Sequence, residues 1–118
     1  MQLREREERG AVVLELEGRF DFSARREFKE TIDRAQEGEA RRLILDLGGL
    51  TFIDSSALGM LVVAHQNIKL KQGQICLVNP QSYVRQILDL ANVPKMIPVY
   101  DTIEQACSAK DASAALAH

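Results

Sequence analysis

Between Ala11 and Glu17 the chain alternates, with Val12, Leu14 and Leu16 on one side and Val13, Glu15 and Glu17 on the other. A period of two predicts a half-buried β-strand, and Gly18 is placed as its end. Leu3 to Glu8 is mostly charged and suits only an edge strand, where charge discourages pairing with another chain. Glu8-Arg9-Gly10-Ala11 is the predicted turn between the two. Arg19 to Phe22 is assigned to a loop and Ser23 to the N-cap of a helix. Phe28, Ile32 and Ala35 then recur at helical spacing, with Arg25, Arg26, Glu30, Asp33 and Arg34 outward and Gly38 closing the helix.

The period changes twice more. Arg42-Leu43-Ile44-Leu45-Asp46-Leu47 has the branched apolar content of a core strand, and Gly48-Gly49 reads as a turn after it. A helix is predicted from Asp54-Ser55, with Leu58, Leu61, Val62, His65 and Ile68 on one face and Gly73 at its end. Ile75 to Val78 predicts a further buried strand, and Asn79-Pro80 a helix start, since asparagine caps and proline suits a first turn. Val84, Ile87, Leu88 and Ala91 supply that helix's inner face. Pro94 and Pro98 bracket a last short strand from Met96 to Val99, at an edge because proline cannot donate to a ladder. Asp101-Thr102-Ile103-Glu104 has the form of a capping box opening a final helix, and the alanine-rich tail from about Ser108 is expected to fray. The order ββαβαβαβα predicts one α/β domain over residues 1–118, with an N-terminal hairpin, a mostly parallel mixed sheet and helices packed against it.

Composition removes several function classes. A chain of 118 residues can bury roughly two-thirds of its unfolded surface without disulfides or metals. Fifteen basic against 17 acidic residues, net −2, give no electrostatic footprint for nucleic acid or an acidic membrane. No apolar run approaches the ~18–20 residues of a spanning helix, and no signal peptide is visible at the N-terminus, so a cytoplasmic location is expected. Cys76 and Cys107 are too few and too far apart for a redox pair or metal cluster and read as packing residues. His65 and His118 are the only histidines, which leaves no zinc site and no Ser-His-Asp triad. No metal, cofactor or catalytic residue is expected.

The chemistry concentrates at Phe52-Ile53-Asp54-Ser55-Ser56-Ala57-Leu58-Gly59. Hydroxyls at a helix start lie beside unpaired backbone N–H groups and the positive end of the helix dipole, where a phosphoryl group is well tolerated. Ser55 could equally be an ordinary cap, as could Asp54. Leu58, Met60 and Leu61 cannot all face the core at 100° per residue, so Met60 is expected exposed beside Ser55, where it gives a partner an apolar contact. His65 reads as a partly buried helix residue.

Asp54-Ser55-Ser56-Ala57-Leu58-Gly59 after an apolar strand resembles the signature of STAS domains, and above all the Asp-Ser-Ser-Gly-Leu-Gly pattern of bacterial anti-sigma factor antagonists. Gly18-Arg19-Phe20-Asp21 is similar to that family's Gly-Glu-Leu-Asp loop, and Leu43 to Leu47 and Asn79-Pro80 fall where the family has a strand and its third helix start. The resemblance runs from about Leu14 to Ala106. It implies a non-enzymatic switch. The dephosphorylated antagonist binds an anti-sigma factor, often a serine kinase, and frees a sigma factor. Phosphorylation of the first serine, here Ser55, ends the binding, and a PP2C-type phosphatase restores it. Ser56 is the competing acceptor. Asp21, Asp54, Ser56, Ala57, Leu58 and Met60 are the partner-binding positions that follow, and the protein is expected to act as a monomer without contacting nucleic acid or membrane. Ala57 stands where the family commonly has glycine, and Arg19 where it has glutamate. A different class stays open beside this one: a STAS subunit of a stress-signalling scaffold or lipid-transport complex, or a small-ligand sensor.

Overall fold

Pairing of the strands in chain order decides which side the helices take. In the computed structural model, which describes residues 1–38 and 40–109, the strands are β1 (Gln2–Glu8), β2 (Ala11–Phe20), β3 (Arg42–Ile53), β4 (Gln74–Val78) and β5 (Val99–Tyr100). They lie side by side in the order β1-β2-β3-β4-β5. β1 and β2 are antiparallel; the later pairs are parallel. Parallel neighbours need right-handed crossovers, and with every crossover stepping the same way the three linking helices share one face. These are α1 (Arg25–Gln36), α2 (Ser55–Leu70) and α3 (Ser82–Leu90). α4 (Ile103–Ser108) follows the last strand and covers the opposite face. Residues 110–118, which hold most of the tail expected to fray, lie outside the described residues.

The larger core joins Val12, Leu14, Leu16, Leu45 and Leu77 of the sheet to Phe28 and Ile32 of α1, Leu61 and Ile68 of α2, and Val84 and Leu88 of α3. A smaller one joins Ala11, Val13, Ile44, Cys76 and Val78 to Ala106 of α4. The start of β2 is therefore buried on both faces, against the half-buried expectation. α4 covers the side that Glu15 and Glu17 suggested was wet. Cys76 packs in this second core, where burial pushes its thiol up to about 12.

Several boundaries move. The hairpin turn forms at Arg9 and Gly10, both at positive φ (51° and 81°), the geometry that suits strand twist. β2 does not stop at Gly18. That residue sits inside the strand at φ 95°, where only glycine is unstrained, and pairing continues through Phe20. The Gly48-Gly49 turn does not exist either, because β3 runs straight through to Ile53. Its register against β2 slips twice, once between Glu15 and Glu17 and once between Gly18 and Arg19. Each slip puts an extra β3 residue against the partner and resets which side chains point inward. Core positions pass from Leu43, Leu45 and Leu47 to Leu50 and Ile53. That broken alternation imitates a turn.

The later elements shift for local reasons. α2 buries Ala57, Leu61, Ala64 and Ile68, whereas Leu58, Val62 and His65 form a half-buried flank. Small alanines take the inner face and let the helix lie close to the sheet, a phase that large residues alone do not reveal. Gln72, not Gly73, takes the left-handed conformation after α2 (φ 63°). Asn79 also turns left-handed (φ 57°) and does not cap α3, whose N-cap position is Gln81. Met96 to Val99 is not a strand: a 3-10 turn spans Val93–Lys95, Met96 is exposed, Ile97 is buried, and β5 is Val99–Tyr100 alone. The α4 cap lies one residue later than expected, the Gln105 N–H donating to Thr102 Oγ1 at 3.1 Å.

Candidate functional site

Two neighbouring parallel strands, β2 and β3, end together and deliver the site. Phe20 pairs with Ile53 at the last rung, and the Asp54 N–H donates to the Phe20 carbonyl at 3.3 Å. Asp21 and Asp54 therefore leave the sheet from adjacent strand ends, at the carboxyl edge where open α/β sheets commonly place their sites.

Asp54 is the N-cap of α2. Its backbone is extended (φ −115°, ψ −179°) and its Oδ1 accepts the Ala57 N–H at 2.9 Å. Ser55 is thus the first residue within the helix, and it is exposed, while Ser56 is half-buried. Capping, the ordinary duty of a serine at a helix start, belongs here to the aspartate. The Ser55 hydroxyl stands in water beside the helix's N-terminal end, where negative charge is favoured.

Asp21 does its own local work. Its Oδ1 accepts the Ser23 N–H at 3.1 Å and the Ser23 hydroxyl as well, and so caps a 3-10 turn over Phe22–Ala24. Ser23 is therefore not the N-cap of α1; Ala24 holds that position without a side-chain bond. The Ser23 hydrogen bonds, chiefly that from its hydroxyl, hold the Asp21 carboxyl below the usual carboxylate range, with a smaller contribution from Arg19.

The remaining expected contacts divide. Ala57 is fully buried, so its methyl belongs to the core and cannot touch a partner. Leu58 and Met60 are both half-buried and pack against the main core, which corrects the expectation that Met60 stands exposed beside Ser55. The exposed apolar residue of this loop region is Phe22, 57% accessible, with the Arg25 guanidinium 4.3 Å from its ring centre. Arg19 lies likewise over Phe52, 3.9 Å from the ring centre, and its Nε is 3.8 Å from Asp21 Oδ2. Neither stack was foreseen. Arg25 follows Phe22 closely enough to suggest the first, but the second depends on the register that sets Arg19 against Phe52.

A brace supports β3 on its way to the site. Gln81 Nε2 donates to the Gly48 carbonyl at 2.8 Å, and the Gly48 N–H donates to Asp46 Oδ1 at 2.9 Å. A cavity of about 180 Å³ lined by Gln36, Arg41, Lys71 and Gly73 lies at the opposite end of β3, near its first residues, and so away from Ser55. Among the described residues no three His, Cys, Asp or Glu side chains gather as metal ligands, and no helix is long and apolar enough to cross a membrane.

Known proteins match this arrangement. Residues 2–106 fit the STAS domain family. A STAS-domain containing protein of Pseudomonas aeruginosa is 34% identical over 75% of this chain and 86% of its own length. An anti-sigma F factor antagonist of Paenibacillus polymyxa is 31% identical over 86% of this chain and 87% of its own. In fold, the chain is like the Bacillus anti-sigma factor antagonist SpoIIAA. The unphosphorylated form gives a TM-score of 0.74 at 24% identity over 89% of this chain and 92% of that one. The phosphorylated form gives 0.67 at 23% over 89% and 96%. With its ββαβαβαβα order, its serine turn at the strand-to-helix junction and these relatives, the chain belongs to the STAS domain family, within the group of anti-sigma factor antagonists.

Proposed function

We propose that this protein, in its unphosphorylated form, binds an anti-sigma factor serine kinase in the cytoplasm and so releases a sigma factor, and that phosphorylation of Ser55 ends the binding. A PP2C-type phosphatase resets the switch, and one copy of the chain suffices for each exchange. One observation carries this reading: Asp54 satisfies the start of α2 and leaves Ser55 exposed as the first helical residue. Asp21, Asp54 and Ser56 surround it as docking residues. Leu58 and Met60 shape the surface from half-buried positions, and Ala57 acts only from beneath.

Phosphorylation adds about −1.5 to −2 charges to a neutral position. The helix terminus tolerates that charge, so the fold has no reason to change. A partner fitted to a hydroxyl does not tolerate it. One like charge at ~4 Å costs ~4 kcal/mol at an effective dielectric of ~20, and each ~1.4 kcal/mol is tenfold in affinity. Repulsion at the interface is thus enough to release the partner. SpoIIAA, alike in fold, has a phosphorylated form, and the Paenibacillus relative is named for an anti-sigma F factor.

The test uses purified anti-sigma factor serine kinases from the same genome. Expected are binding to one of them, a mass gain on Ser55 after ATP is added, and loss of the complex with an unchanged melting temperature. Modification of Ser56 instead of Ser55, or a phosphorylated protein that binds as tightly as before, would overturn the switch. Failure of every such kinase to bind would overturn the antagonist reading itself.

A further inference from the structure

We infer that the anti-sigma partner lies along the outer face of α2 and covers Ser55, Gly59 and Val63 with an apolar, charge-poor element whose backbone comes close at Gly59. This rests on the antagonist reading and adds the surface that the partner covers. At 100° per residue, Ser55, Gln66, Gly59, Leu70 and Val63 fall within an arc of about 80° on one side of the helix, and all five are exposed. The buried residues Ala57, Leu61, Ala64 and Ile68 take the other side. Ser55 thus opens a line that continues down the helix to Gly59 and Val63, about 6 Å and about 12 Å further on at a rise of ~1.5 Å per residue.

The chemistry of that line sets it apart from the neighbouring helix. α2 carries one charged residue in 16, Lys69 near its end. α1, packed beside it on the same face of the sheet, carries seven in 12. A helix face kept in water usually holds its charges outward, whereas loss of charge marks the centre of a protein interface. Val63 is nevertheless 54% accessible. Gly59 adds an independent observation. Glycine is, after proline, the poorest residue for a helix interior, yet a Cβ built at Gly59 meets nothing within 4 Å. The fold therefore has no steric need of glycine at this position. An approaching chain does, because a bare Cα lets a second backbone come closest to the helix. A partner that reaches the Ser55 hydroxyl passes over this first turn, and an interface of ordinary size, about 800 Å² on each side, extends past Gly59 and Val63. Asp21 and Asp54, at the adjacent strand ends above α2, then belong to the polar rim. The switch gains a second cause from the same surface. A phosphoryl group on Ser55 would be buried against an apolar face that offers no cation to pair with it.

The experiment measures binding of the full chain to the purified anti-sigma kinase that recognises it, beside melting curves of each variant. Gly59→Ala and Val63→Lys both put better helix formers on the exposed side of α2, so their melting temperatures should hold or rise. Each is expected to raise Kd by about tenfold or more, the methyl by blocking the close approach and the lysine by burying a charge. Stability and affinity then move apart, which a merely structural role for either residue would not produce. If wild type binds a kinase and either variant stays within about twofold of it, the inference is wrong while the antagonist reading stands. If the free chain sediments as a dimer that Val63→Lys dissociates, a second copy covers the face and the inference is again overturned. If wild type binds no such kinase, both fall together.

Discussion

Asp54 and Ala57 are joined by a 2.9 Å hydrogen bond from the Ala57 N–H to the Asp54 carboxylate, and that bond is what leaves Ser55 available to other chemistry. Removing it tests the division of labour. Asp54→Ala should lower stability by about 1 kcal/mol, the usual cost of a lost N-cap, and Asp54→Ser should recover most of it. Thermal or urea melts read the effect. An Asp54→Ala protein as stable as wild type would mean that a serine hydroxyl can take over the cap, which would weaken the case for a hydroxyl held in reserve.

Gly48 faces a different constraint. A Cβ there would stand 2.5 Å from Nδ2 of Asn79 and 3.2 Å from Asp46 Oδ1. Asn79 is itself left-handed and its N–H donates to the Tyr100 carbonyl at 2.9 Å, so relief comes from turning its side-chain amide aside rather than from its backbone. Gly48→Ala is expected to destabilise by about 1 kcal/mol, the low end of the range for overpacking, because side-chain atoms rather than backbone stand in the way. Adding Asn79→Gly removes the clashing amide and suits the positive φ. The double variant should therefore recover stability that the single one loses, and a double-mutant cycle with no such coupling would show that the clash is relieved elsewhere.

These two residues also show where sequence reasoning stops. The order of elements is legible because the apolar periods are local: Val12, Leu14 and Leu16 alternate, and Phe28, Ile32 and Ala35 step by helical turns. The strand-to-helix junction at Asp54-Ser55 is legible for the same reason, a change of period within a few residues. Gly48 and Gly49 mislead because two register slips break the alternation of β3, and these arise in its pairing with β2, far back along the chain. The inner face of α2 is misread because alanines, not leucines alone, fill it. The stack of Arg19 on Phe52 depends on a pairing between strands that no local window contains. Asp21, in contrast, looked like a docking residue or a turn residue; it caps the Ser23 turn while standing at the strand end beside Asp54.

Arg42 was read only as the first residue of a strand, yet it holds α4 in place. Its guanidinium donates to the carbonyls of Ala106 at 2.8 Å, Cys107 at 2.9 Å and Ala109 at 2.8 Å, closing the C-terminal end of that helix. A six-residue helix has no independent stability, so it persists through this clamp and the apolar contacts of Ile103 and Ala106. Arg42→Met keeps the aliphatic stem and removes the donors, and should cost about 1.5–3 kcal/mol, as for hydrogen bonds to a charged group. Hydrogen exchange gives the sharper readout. Amides of Ala106 to Ser108 should lose protection while those of β2 and β3 keep theirs. Equal protection in both proteins would assign α4 to apolar packing alone.

His65 supplies the pH dependence. Burial on the flank of α2, with a smaller push from Lys69, lowers its pKa from the usual 6.5. The unfolded chain therefore takes up the proton at higher pH than the folded one. As pH falls through about 6.5 the unfolded state gains protons first, and stability drops until the folded histidine also titrates. The contribution of His65 is complete above that value and lost below it. His65→Gln removes the proton site, so its melting temperature should decline less than that of wild type between pH 8 and pH 5 (roughly the span that brackets the transition). The carboxyl of Asp21 does not interfere, because its pKa is also lowered and its loss begins only in the more acidic carboxylate range. Parallel pH profiles for the two proteins would remove His65 as the titrating group and place any pH sensitivity elsewhere.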